Sequence, residues 1–275
     1  MQRGTDFLGC ETAIMCGAMS WVSERHLVSA ISNAGGFGVI ACGAMTPELL
    51  DTEIAETKKR TDKPFGVNLI TMHPDLMDLI AVCGKHQVTH VVLAGGLPPK
   101  GSLEAIKATG AKVICFAPAL ALAKKFVRSG VDAIVIEGME AGGHIGPVST
   151  SVLAQEILPE IASQVPVFVA GGIGTGEMIA AYLEMGASVQ VDPRLPVIPV
   201  RALKNKGTEE FTRKQIEVAK LLDSGAIEMG EAQLQIEHFW AGALRKAVID
   251  GDIEHGSVMA GQSVGMVNIA INDRF

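Results

Sequence analysis

Ala133-Ile134-Val135-Ile136-Glu137-Gly138-Met139-Glu140-Ala141-Gly142-Gly143-His144-Ile145-Gly146 decides how this chain is read. Four apolar residues run straight into two carboxylates, four glycines and one histidine. A glycine has no Cβ, so its backbone can turn sharply and come close to a flat ligand. A histidine held among glycines, where a loop meets a cavity, can take or give a proton near neutral pH. A plain strand-to-helix turn needs a glycine or two, not a run with a histidine in its middle.

Working outward, the same strand-then-helix unit recurs on both sides. Short apolar strands are predicted at 13–16, 37–41, 65–70, 90–94, 112–116, 133–136 and 167–170. Their apolar character is continuous, not alternating, which marks strands buried on both faces. Helical segments between them imply parallel pairing. One helix is expected over 23–34, with Ser23 as its cap and Gly35 as its stop. Another is expected over 47–60, with Thr46 as cap and Pro47 in the first turn, and a third after Pro74.

Seven such units in about 190 residues fit an α/β fold of the TIM type, a (β/α)8 barrel, better than an open doubly wound sheet. Gly17, Met19, Asn68, Gly95, Glu137, His144 and Gly171 all fall at or just past strand C-termini. In a barrel those ends converge on one site, whereas an open sheet gathers only those near its switch point. No Gly-x-Gly-x-x-Gly follows the first strand, which counts against a dinucleotide-binding domain. From about Val191 the pattern breaks. The run 192–199 is proline-rich and cannot be a central strand. Helices are expected over 209–223 and 231–249. Residues 1–190 are therefore read as the barrel. Residues 191–275 are read as a helical segment, either a packing bundle or a lid over the barrel mouth.

Composition narrows the function classes. The 275-residue chain is 48% hydrophobic and 19% charged, enough to bury a large core. Its net charge of −7, with no basic run and few aromatic platforms, argues against nucleic acid. Cys10, Cys16, Cys42, Cys83 and Cys115 are dispersed and odd in number, so they read as reduced thiols, and no zinc spacing is present. No secretory leader and no apolar run of about 18 residues is seen, so the expectation is a cytoplasmic protein without a membrane partner. His26, His73, His86, His90, His238 and His255 lack a glycine context and read as surface or packing residues.

The chain resembles the flavin-dependent nitronate monooxygenase (2-nitropropane dioxygenase) family, which includes the FMN-type enoyl-acyl-carrier-protein reductases. The resemblance rests on Cys16-Gly17-Ala18-Met19-Ser20-Trp21-Val22, Ser32 to Gly38, Pro64-Phe65-Gly66-Val67-Asn68, Glu137 to Gly146, Ala170-Gly171-Gly172-Ile173 and Ser257 to Gln262. It implies a barrel, residues 1–190, holding non-covalent FMN. Gly17, Ala18 and Met19 would line the flavin ring. Asn68 and Glu137 would hydrogen-bond its edge or its ribityl chain. Gly143, Gly171 and Gly172 would meet the phosphate arm, where glycines let an anion reach backbone N–H groups. Gln262 joins this cofactor-binding set. His144 would handle substrate protons, and no metal is implied. Read on their own, Asn68 could instead cap a turn and Met19 could be core.

Two departures stand out. Cys16 replaces the glutamine usual in the first flavin loop. The family's eighth strand carries a Gly-Thr-Arg-Phe-like phosphate loop, yet here Gly186-Ala187 passes directly into Ser188-Val189-Gln190. The expectation is that the eighth strand and its loop are missing at the Ala187-Ser188 junction. Three functions follow. The first is oxidation of alkyl nitronates with O₂. The second is an enoyl-acyl-carrier-protein reductase using NAD(P)H, to which Val200 to Asn205 and the 241–262 tail look closer. The third is a non-catalytic flavin-binding protein. The expected partners are a small-molecule or acyl-thioester substrate and a second copy of the chain in a homodimer.

Overall fold

The computed structural model describes residues 2–174, 200–203 and 205–259. Six strands form one parallel sheet in the order β1 (Gly38–Ala41), β2 (Phe65–Ile70), β3 (His90–Ala94), β4 (Lys112–Phe116), β5 (Ala133–Glu137) and β7 (Val167–Ala170). Ahead of β1, Met15 makes a parallel bridge to Phe37, so the first predicted strand is reduced to a single pairing. Between strands lie α2 (Arg25–Asn33), α3 (Pro47–Lys58), α4 (Leu76–Lys85), α5 (Ser102–Ala108), α6 (Leu120–Arg128) and α7 (Thr150–Ile161). This is the curled, helix-wrapped parallel sheet of a TIM-type α/β barrel. The Ala187-Ser188 junction, the 192–199 run and Gln262 lie outside the described residues.

The continuous apolar strands hide a period of two, because each face has its own core. Ile40, Val67, Leu69, Val91, Leu93, Val113, Cys115, Ile134 and Ile136 point to the helices. Val39, Val92, Ile114, Ala133 and Val135 point to the barrel interior with Leu8 and Phe37. Asn68 on β2 and Glu137 on β5 stand at interior positions by the same alternation. Both lie toward the C-terminal ends of their strands, the end where barrel sites are built.

The opposite end is closed by α1 (Gln2–Leu8), a helix the sequence reading did not anticipate. Its Phe7 stacks edge-on against His90, with ring centroids 5.1 Å apart. Phe37 meets the other side of that imidazole at 4.9 Å. His90 Nε2 donates to the Phe7 carbonyl at 3.0 Å, and Nδ1 lies 2.9 Å from Thr89 Oγ1. Burial pushes the pKa of His90 down to about 4, so the ring is neutral in the fold. Between about pH 4 and pH 6.5 the unfolded chain binds more protons than the native one. Stability is therefore full above that window and is lost as pH falls through it. Relative to a His90→Gln variant, the wild type should lose about 2–3 kcal/mol more on going from about pH 7.5 to pH 4. Parallel stability curves in urea would remove His90 from the acid response.

One cap differs from expectation. Glu24, not Ser23, caps α2, its carboxylate accepting from the His26 and Leu27 amides. Ser23 is committed elsewhere: its hydroxyl donates to the Gly17 carbonyl at 2.9 Å and accepts from the Met19 amide at 3.1 Å. Thr46 caps α3 as expected.

Past the barrel strands, β8 (Val200–Arg201) leads into α8 (Lys206–Asp223) and α9 (Met229–Val248). Asn205 and Thr208 form a reciprocal capping box that starts α8. Val218, Ala232, Ile236 and Trp240 make a small separate core with Phe211 between the two helices.

Candidate active site

The loop after β5 is built around a seam between Gly138, Thr150 and Gly171. A Cβ on Gly138 would stand 2.0 Å from Thr150 Oγ1 and 2.1 Å from the Thr150 amide nitrogen. Gly171, at φ +104°, leaves a similar space for Thr150 Oγ1 at 2.7 Å. That hydroxyl lies 3.1 Å from the carbonyls of both Ala170 and Gly171. Glu140 accepts from the Thr150 amide at 2.9 Å. Ser149 accepts from Val152 at 3.4 Å. The Thr150, Val152 and Leu153 amides at the opening of α7 are thus satisfied by the protein itself. The missing side chain of Gly172 is replaced in space by Glu140, whose Cβ would be 2.8 Å away.

Next to this seam, Glu137 is partly buried, and burial pushes its pKa up to about 7, against the pull of the His144 charge. Between about pH 4.5 and pH 7 the native state keeps a proton that the unfolded chain releases. Stability therefore falls as pH climbs through that window. Glu137→Gln removes this loss. It should stabilise the ligand-free protein by about 1–3 kcal/mol at pH 8 and by much less at pH 4.5. Equal effects at the two pH values in urea unfolding would refute the assignment.

His144 belongs to β6 (Gly143–His144), a two-residue strand antiparallel to β8. Its Nε2 lies 3.0 Å from Glu237 Oε1 on α9. Gly143, at φ +77°, would place a Cβ 3.1 Å from Met259 Sδ. Glu237 was missed in the sequence, and Met259 was read only as part of the Ser257 to Gln262 motif, not as a neighbour of Gly143. Both partners come from far along the chain, and no local pattern announces either pairing.

A second cluster forms at the start of the barrel. Ser23 ties down the Gly17–Ala18–Met19 loop, and the Ser23 carbonyl accepts from the Ala41 amide at the end of β1. Met19 is 46% exposed, so it is not a core methionine. Gly17 has open space where a Cβ would stand. Trp21 holds φ +66°, a left-handed conformation rare for a bulky residue. Cys16 lies 3.8 Å from Ser23 Oγ, and burial pushes its thiol pKa upward, away from a nucleophilic thiolate. Asn68 is buried within β2 and donates to the Val92 carbonyl at 3.2 Å, so it does not cap a turn. Glu137, Gly143, His144, Gly171 and Gly172 are gathered around the β5 and β7 ends. Gly17, Ala18, Met19 and Asn68 are gathered around β1 and β2. Among the described residues no group of three or more His, Cys, Asp or Glu could hold a metal. No described helix is long and apolar enough to cross a membrane.

Comparison with known proteins places this geometry. The chain matches the family model described as nitronate monooxygenase over residues 2–89 and 79–197. It is 39% identical over 186 residues to a (3aS,4S,5R,7aS)-5-hydroxy-7a-methyl-1-oxo-octahydro-1H-indene-4-carboxyl-CoA dehydrogenase of Mycobacterium tuberculosis, covering 67% of this chain and 52% of that protein. It is 30% identical over 231 residues to a nitronate monooxygenase of Pseudomonas aeruginosa, covering 68% of this chain and 66% of that one. FabK from Thermotoga maritima superposes with a TM-score of 0.79 at 34% identity, covering 96% of this chain and 89% of that one. The chain spans about half the length of the dehydrogenase and just under two thirds of the monooxygenase.

Proposed function

The chain belongs to the nitronate monooxygenase family, and from that premise we propose that it is an FMN-dependent oxidoreductase that oxidises alkyl nitronates with O₂. The observation that carries this reading is His144, held on a glycine-rich loop beside Glu137 at the C-terminal ends of the barrel strands.

The residues at the mouth fit FMN. Two buried donors that follow strand ends, Trp21 Nε1 and Thr71 Oγ1, have no partner among the described residues. Gly17 leaves room for a ring to lie on the backbone, and Met19 offers an exposed, polarizable surface. Glu137, balanced near pH 7 between its two forms, can donate as well as accept a hydrogen bond at a polar ring edge. Asn68 has amide hydrogen-bonding capacity left after its bond to Val92. Gly143, Gly171 and Gly172 are the proposed contacts of the phosphate arm, and Gln262 is a further proposed cofactor contact. Glu140 already fills the opening of α7, so that helix start is not the phosphate seat.

FMN, when bound, supplies electron acceptance from the substrate and delivery to O₂. The protein's part is to orient the substrate and manage one proton at the His144 ring. The segment carrying α8 and α9 acts as a lid that limits water at the mouth.

A second reading is an enoyl reductase using NAD(P)H. It is favoured by the likeness to FabK over 96% of the chain and by a relative named for a carboxyl-CoA compound. The test is anaerobic reduction of the flavin-loaded protein by an alkyl nitronate, NADH, NADPH and an enoyl thioester in parallel. Bleaching by the nitronate supports the first reading. Bleaching by NAD(P)H, with reoxidation by the enoyl thioester, replaces it with the second.

A further inference from the structure

The segment after the barrel holds His144 twice. Its backbone pairs with β8, Gly143 opposite Arg201 and His144 opposite Val200. Its ring meets Glu237 on α9, Nε2 to Oε1, at 3.0 Å. We propose that Glu237 is the positioning residue of His144 and fixes which ring nitrogen carries the proton. This rests on the reading that His144 handles the substrate proton.

The argument is one of donors and acceptors. An ionised carboxylate only accepts hydrogen bonds. Nε2 must therefore carry the hydrogen in this pair, and in the neutral ring Nδ1 is left as the base. Glu137 acts on the same ring through charge alone, whereas among the described residues the hydrogen bond to the ring is the one to Glu237. Glu237 is also presented rigidly. It follows Ile236 on the face of α9 that buries Ala232, Ile236 and Trp240, and Trp240 packs on Phe211 of α8 with centroids 4.1 Å apart. The carboxylate thus comes from a packed helix, and ring orientation is coupled to the docking of the C-terminal segment.

The side chains of His144 and Glu237 are 38% and 36% exposed. A pair so exposed adds little to folding, so Glu237→Ala and Glu237→Gln are both expected to fold. The direct readout is the ¹H–¹⁵N signal of the His144 Nε2–H group in ligand-free, ¹⁵N-labelled protein at about pH 8, assigned with His144→Ala. The wild type should show a proton on Nε2 slowed in its exchange with water. Glu237→Gln keeps an acceptor oxygen and should retain that signal, and Glu237→Ala should lose it. In the flavin-loaded protein, Glu237→Ala should lower kcat about ten- to a hundredfold, the scale seen when a histidine loses its orienting partner, with KM little changed. The Gln variant should recover most of that loss.

A wild-type ring protonated on Nδ1 would overturn the proposal, as would an unchanged Nε2–H signal in Glu237→Ala. The two readings fail separately. Loss of the signal in Glu237→Ala, together with full turnover in His144→Ala, would keep the positioning role and remove the proton-handling one.

Discussion

Replacing His144 with Ala is expected to leave the fold and the bound flavin intact while lowering turnover by roughly two to four orders of magnitude, the usual contribution of a positioned acid or base. The side chain makes its bond at the rim, to Glu237, and is 38% exposed, so its loss opens no core cavity. What is lost is the loop's imidazole, which can move a proton near neutral pH, while Glu137 beside it stays in place. Steady-state turnover and flavin absorbance, measured on the same preparation, separate the two effects. Turnover within about threefold of the wild type would remove His144 from the chemistry, since the smallest effect of a working acid or base is far larger. A colourless variant would make His144 a flavin-binding residue instead.

The second large effect is expected at Gly138. An added methyl would stand 2.0 Å from Thr150 Oγ1 and 2.5 Å from Thr150 Cα. The hydroxyl could rotate away, but the Cα belongs to the first turn of α7 and cannot move without its helix. Leu153, Ala154, Ile157 and Ile161 anchor that helix in the outer core. Gly138→Ala should therefore destabilise the protein by about 3 kcal/mol or more, the upper range for overpacking. It should also displace the loop that carries Glu140, Gly143 and His144. Urea unfolding checks the first effect. A loss under about 1 kcal/mol would mean that the β5 end and α7 slide apart more easily than their packing suggests.

Much of this fold is legible in the residues. The bounds of β2, β3, β4 and β7 coincide with the apolar runs: the first three have interiors buried on both faces, β7 is half-buried along its length, and each ends where a glycine, polar residue or turn begins. Thr46 with Pro47 and the Gly35 turn were readable for the same local reason. What pattern could not supply depends on distant partners. Both faces of the strands are apolar, so the alternation that turns Asn68 and Glu137 inward leaves no trace in hydropathy. Residues 2–8 offer little beyond Phe7 and Leu8 to mark a helix, and α1 forms because those two plug the barrel around His90. The β6–β8 pairing involves two residues on each side, too short for any periodicity. The Glu237 contact crosses 93 positions of sequence. The glycine-rich block itself singled out the loop, but the reason for Gly138 is a threonine hydroxyl and helix backbone, not a ligand.

The claim at the centre of this account is that the barrel mouth holds FMN and that a substrate there reduces it with the help of His144. Anaerobic titration of flavin-loaded protein with an alkyl nitronate tests it most directly. The account predicts stoichiometric loss of the visible flavin bands in the wild type, restored on admitting O₂, and much slower loss in His144→Ala. A protein that takes up no FMN, or whose flavin bands the nitronate leaves unchanged while NADH or NADPH bleaches them, would contradict it.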